Sequence, residues 1–91
     1  MKANKAKWVA DNGHAWLVVP MELARQVSGI STFSYQSPNG SKAYLEEDCD
    51  AYRYIEHYGE DAIELDKATQ YAGTARCRNY PRYSQTEQGN K

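Results

Sequence analysis

The run Ala15-Trp16-Leu17-Val18-Val19-Pro20 limits what this chain can fold into more than any other stretch. Aromatic and β-branched side chains crowd His14 to Val19, so the segment predicts a strand. It is apolar on both faces, which suits a central strand of a sheet. Pro20 stops the ladder because it has no N–H to donate, and that missing donor costs nothing in the first turn of a helix. Met21, Leu23, Ala24 and Val27 then recur at helical spacing, and Gly29 stands where a C-terminal cap belongs. A helix of about two turns is expected.

Further along, Ile30 to Gln36 alternates, with Phe33 and Tyr35 on one face and Thr32, Ser34 and Gln36 on the other, as in a half-buried strand. Asn39-Gly40 marks a hairpin tip. Its second strand is Lys42 to Glu47. Ala51, Tyr54, Ile55 and Tyr58 fall at i, i+3, i+4 and i+7, which predicts a second helix with one buried stripe. Asp48 or Asp50 can cap its start and Gly59 its end. Ile63 and Leu65 predict a last short strand in preference to a further helix extending through Ala68 and Ala72. With 91 residues there is room for one core. The expected class is α+β: a small antiparallel sheet of three to four strands with two helices. The order permits a ferredoxin-like β-α-β-β-α-β sandwich. A three-stranded sheet with one or two helices is the simpler alternative. Residues 1–12 read as a flexible or edge-pairing lead-in, 13–83 as a single domain, and 84–91 as a disordered basic and polar tail.

Net charge is -1, yet it is distributed unevenly: +3 over residues 1–45, -8 over 46–66 and +4 over 67–91. Near-neutrality excludes a basic nucleic-acid coat and a disordered acidic chain. The acidic centre has two readings. One is a solvated face, helped by the macrodipole where Glu46, Glu47, Asp48 and Asp50 precede or open a helix. The other is a docking surface for a basic partner, with Tyr44, Glu46, Glu47, Asp48, Asp50, Tyr52 and Glu56 as its candidate residues. The basic arm also has two readings. It can pack on the acidic centre, or Arg76, Arg78, Tyr80, Arg82 and Tyr83 can contact phosphates and stack on unpaired bases.

No metal site and no cofactor are expected. Glu46 to Asp50 lacks the glycine and closing glutamate of a calcium loop, and neighbouring carboxylates on a strand point to opposite faces. No enzyme is expected either. Cys49 or Cys77 with a histidine, His14 or His57, is a conceivable dyad, but no nucleophile elbow or phosphate-binding glycine loop accompanies it. Cys49 and Cys77 are expected as free thiols. The longest apolar run is far short of the roughly 20 residues of a membrane span. No apolar stretch follows the basic N-terminus, so no membrane partner and a cytoplasmic location are expected. Eight tyrosines leave room for a self-association face, and so for a homodimer.

Three segments, Gly13-His14-Ala15-Trp16-Leu17-Val18-Val19-Pro20, Ile30-Ser31-Thr32-Phe33-Ser34-Tyr35 and Tyr44-Leu45-Glu46-Glu47-Asp48-Cys49-Asp50-Ala51, combine with Arg78-Asn79-Tyr80-Pro81-Arg82-Tyr83. Together they resemble a family of small uncharacterised proteins carried on bacterial plasmids, prophages and phages. The resemblance covers roughly residues 13–83 and implies an accessory gene of a mobile element. That class includes inhibitors of host defence, such as anti-CRISPR and anti-restriction proteins. It implies a non-enzymatic protein–protein inhibitor whose partner is a host defence complex with a basic surface.

Overall fold

A computed structural model describes residues 4–84. Its elements in chain order are β1 (Asn4–Ala10), β2 (Ala15–Pro20), α1 (Met21–Ala24), β3 (Tyr35–Gln36), β4 (Lys42–Glu46), α2 (Asp50–Tyr58), β5 (Ile63–Leu65) and β6 (Thr69–Gln70). Two 3₁₀ turns, Glu60–Ala62 and Arg76–Asn79, complete them. The fold is α+β, with one mixed sheet in the order β3-β4-β2-β1-β5, and β6 also pairs with β1. β2 lies inside this sheet, antiparallel to β1 on one side and to β4 on the other.

The sheet is larger than the three to four antiparallel strands expected. The extra strands are β1 and the short β6, and residues 4–10, read as part of a flexible or edge-pairing lead-in, form an internal strand. β1 runs antiparallel to β2 and parallel to both β5 and β6. Its alternation is muted in the sequence. Ala6 and half-buried Trp8 pack on one face, Val9 on the other, and Lys5 and Lys7 supply the polarity that hid them. Main-chain ladders with both neighbours, rather than a run of large apolar residues, hold it in place.

β2 is covered on both faces by different parts of the chain. Leu17 and Val19 point into a core with Met21, Ala24, Leu45, Ala51 and Tyr54, which both helices supply. Leu17 and Leu45 are directly opposed across the β2–β4 ladder, and both are wholly buried. Burying each side chain contributes about 1.5–3 kcal/mol. Trp16 points the other way, packing with Val9, Ala75 and Cys77, and Val18, Tyr44, Tyr71 and Tyr80 border that cluster. The second layer there is the C-terminal arm.

α1 is shorter than expected, a single turn, and the chain reaches Gly29 (φ 89°) through turns. Only Tyr35 and Gln36 of the alternating segment form strand; Ser31 to Phe33 turn away, leaving Phe33 66% exposed. The hairpin at Ser37–Gly40 is as expected, with Gly40 (φ 77°) donating to Ser37 O at 2.9 Å. α2 carries the predicted stripe, with Ala51 and Tyr54 buried and Ile55 and Tyr58 packed beside them. Its N-cap is Cys49, with no side-chain cap, rather than Asp48 or Asp50. Of the tail, only Ser84 lies among the described residues; 85–91 lie outside them. No helix among the described residues is long and apolar enough to cross a membrane.

Candidate functional site

The residues anticipated as one acidic, tyrosine-bearing surface divide between the two sides of the sheet. Along β4, Leu45 faces the helices, so Tyr44 and Glu46 face the arm. Tyr44 is half-buried, meets Tyr80 edge-on at 5.3 Å, and burial pushes its hydroxyl up to about 12. Glu47 is exposed and accepts the Ala15 N–H at 2.8 Å, tying the end of β4 to β2. Tyr52 and Glu56 lie four apart on the exposed side of α2, and Tyr52 is 68% exposed.

Asp50 is corrected outright. It is wholly buried, and it accepts the Ser31 N–H at 3.1 Å, the Ser31 hydroxyl at 2.7 Å and the Ser34 hydroxyl at 2.5 Å. Ser34 Oγ in turn accepts the Glu46 N–H at 2.9 Å. Asp50 is an internal strut between the start of α2, the turn before β3 and the end of β4. It is not a contact surface.

The arginine arm borders the first part of the acidic centre but makes no ion pair with it among the described residues. Its anchor is Asp11 in the β1–β2 turn, which accepts Arg78 Nε at 2.6 Å, Arg78 NH2 at 3.0 Å and the Ala75 N–H at 2.8 Å. Those bonds, Arg78 first, hold the Asp11 carboxyl well below the usual carboxylate range. Arg78 also lies 5.1 Å from the Trp16 ring centroid, and Arg82 lies 4.9 Å from that of Tyr35. Tyr83 is 2% exposed and packs in the helix-side core, so it cannot stack on a base. Of the five candidate nucleic-acid residues, Arg76 and Arg82 remain exposed.

Two clefts bring chemistry-bearing residues together. The first, about 460 Å³, lies between α2 and the sheet. Trp8, Leu17, Ile55, Ile63 and Leu65 line it, with Glu60 and Asp61 at its rim. From 56 to 66 the chain carries five carboxylates, all exposed, and no lysine or arginine. Among the described residues none of the five makes an ion pair.

The second cleft, about 370 Å³, opens on the arm side and gathers His14, Trp16, Phe33, Tyr35, Glu46, Asp48, Cys49, Arg78 and Arg82. His14 Nδ1 is 3.5 Å from Glu46 Oε2, and Cys49 Sγ is 3.5 Å from Glu46 Oε1. Ligating atoms of His14, Glu46 and Asp48 all lie within 4.8 Å of one another. Two alternate carboxylates of the acidic run converge here, while Glu47 bonds the Ala15 N–H and Asp50 is internal. β4 ends at Glu46, and Asp48 sits in a turn whose N–H bonds back to Glu46 Oε1 at 2.9 Å. His14 arrives from just before β2, where Trp16 is the register partner of Glu46. Only the pairing of β2 with β4 brings His14 to the run 46–49, so no sequence spacing announces the combination.

Both cysteines are free. Burial and the adjacent Asp50 push the Cys49 thiol up, which is the wrong direction for a nucleophile. Cys77 is buried behind Trp16, its thiol pushed up to about 11 by burial and then by Asp11. No family model, no curated protein and no solved structure matches this chain.

Proposed function

We propose that this chain is a non-enzymatic binding protein of a mobile genetic element. In this reading it blocks a bacterial defence complex, CRISPR–Cas or restriction, by protein–protein contact through its acidic face. The supporting observation is the groove beneath α2, an apolar floor lined also by exposed Glu60 and Asp61, neither of which makes an ion pair among the described residues. Such a rim attracts cationic surface over a screening length of about 8–10 Å and speeds its association. The floor rewards an apolar side chain at about 25 cal/mol per Å² buried. The matching ligand is a basic segment of the partner carrying an apolar residue between its lysines or arginines. Exposed Tyr52, one helical turn from Glu56, extends the same face with the kind of ring that interfaces favour.

Compared with the sequence expectation, the surface moves from residues 44–56 towards 52–66, because Asp50 is internal and Tyr44 and Glu46 face away from α2. The choice of a defence complex rests on the resemblance to mobile-element proteins, and it implies the cytoplasm of a bacterial host. The strand order without β1, β3-β4-β2-β5, we read as ferredoxin-like with one strand wedged in.

The test is capture of Cas or restriction subunits by the tagged chain in a defence-active strain, alongside phage plating efficiency. The Glu56→Lys/Glu60→Lys/Asp61→Lys variant is expected to keep its circular dichroism spectrum and to lose both capture and protection of the phage. A folded triple variant that still inhibits would refute the acidic-face reading.

A further inference from the structure

We propose that the arm-side cleft is a binding site for one zinc-class divalent cation, held by His14, Glu46, Asp48 and Cys49. The argument is independent of the acidic face under α2. The donor set is one imidazole nitrogen, two carboxylates and one thiol, the N/O/S mixture that zinc accepts in a four-coordinate site. Bond lengths of about 2.0–2.3 Å at tetrahedral angles place two ligand atoms about 3.3–3.6 Å apart. Glu46 already has one oxygen 3.5 Å from His14 Nδ1 and the other 3.5 Å from Cys49 Sγ. The exposed Asp48 carboxylate lies within 4.8 Å of the His14 and Glu46 donors, and Cys49 adjoins that trio through Glu46.

The frame behind these donors is fixed. The Glu46 N–H bonds to Ser34 Oγ, the Glu46 carbonyl accepts the Cys49 N–H at 3.4 Å, and Glu47 ties β4 to Ala15 beside His14. A second observation points to a ligand from outside the chain. Trp16 lines this cleft at 2% exposure, and its indole N–H has no hydrogen-bond partner. A water or small anion held beside the cation supplies the missing acceptor, and exposed Arg82 on the same cleft favours an anion there. On binding, Cys49 coordinates as thiolate and its proton passes to solvent.

Zinc and cobalt are the probes, used on the full chain. Calorimetric titration with Zn²⁺ is expected to show one ion per chain. Co²⁺ is expected to give d–d bands of a four-coordinate ion together with a thiolate charge-transfer band. His14→Ala and Glu46→Gln are expected to weaken zinc by roughly tenfold or more. Cys49→Ser is expected to abolish the charge-transfer band while leaving the d–d bands. Glu60→Gln/Asp61→Asn, on the other side of the sheet, is the control and should leave zinc binding unchanged. Zinc binding that survives His14→Ala, that falls with the control, or that is absent from the wild-type chain overturns the site. Circular dichroism of each variant separates loss of ligand from loss of fold, and exposed His14 is the substitution least able to disturb the core.

Discussion

Replacing Asp50 by alanine tests whether the acidic centre contains a structural member. The carboxylate accepts three hydrogen bonds and has no solvent exposure. Removing it strands the Ser31 N–H and the buried Ser34 hydroxyl, while the Ser31 hydroxyl, at a half-buried residue, can turn to water. A buried donor left unsatisfied costs about 1–3 kcal/mol, and relief from burying the carboxylate offsets part of the loss. A net destabilisation of about 3 kcal/mol follows. A chain of this size is stable by about 5–14 kcal/mol, so the variant folds in buffer but unfolds at clearly lower urea. The assay is urea denaturation followed by circular dichroism, with an unchanged slope and a lowered midpoint. Asp50→Asn keeps one acceptor oxygen and should lose less. Ser34→Ala combined with Asp50→Ala should lose less than the sum of the two single variants, because they share a bond. A loss under about 1 kcal/mol for Asp50→Ala, or strict additivity with Ser34→Ala, would refute the strut.

Asp11 predicts a sign for the acid limb of stability. Its folded pKa lies below the 3.8 of a free aspartate, so the folded chain binds fewer protons there. The contribution is complete above about pH 5 and disappears as pH falls through 4 and below. Thermal melts of the wild type should fall over that range, and Asp11→Asn should start lower and fall less steeply; parallel curves would exclude the Asp11–Arg78 clasp as the cause. The thiols give a third check. Half-buried Cys49 should react with a disulfide reagent in the native state, and Cys77, 2% exposed, only on unfolding. Equal native rates would mean that the arm does not cover Trp16.

What the sequence revealed follows from the range of the forces involved. α2 and the Asn39-Gly40 hairpin are set by neighbours within one turn, so their spacing was sufficient. β2 declared itself through a two-faced apolar run. β1 did not, because its position depends on main-chain pairing to β2, β5 and β6, and lysines occupy its polar steps. Phe33 and Tyr35 look like one apolar face, yet Ser31 and Ser34 are drawn to Asp50, 19 and 16 residues away, and that pull turns the chain before β3. The same long-range bonds hid Asp50 among acids that do face water. The metal-capable cleft depends on strand register, which a single sequence does not display. The arm is a further case. Its arginines read as a free cationic strip, and Asp11, 67 residues from Arg78, holds the one that lies over Trp16.

The placement of β1 also fixes an order of events during synthesis. β1 is made before β2, β5, β6 and Arg78, so β2 is the first of its partners to become available. The partners of that edge, Ile63 for Asn4 and Thr69 for Val9, come about 60 residues later, which at about 5–20 residues per second amounts to roughly 3–12 s. Throughout that interval the outer edge of β1 is an unpaired ladder beside Trp8 and Val9, the kind of edge onto which another nascent chain can add. Lys5 and Lys7 are the usual defence of such an edge, since strand addition would bring like charges together. The two residues that disguised the strand also guard it until its partners leave the ribosome.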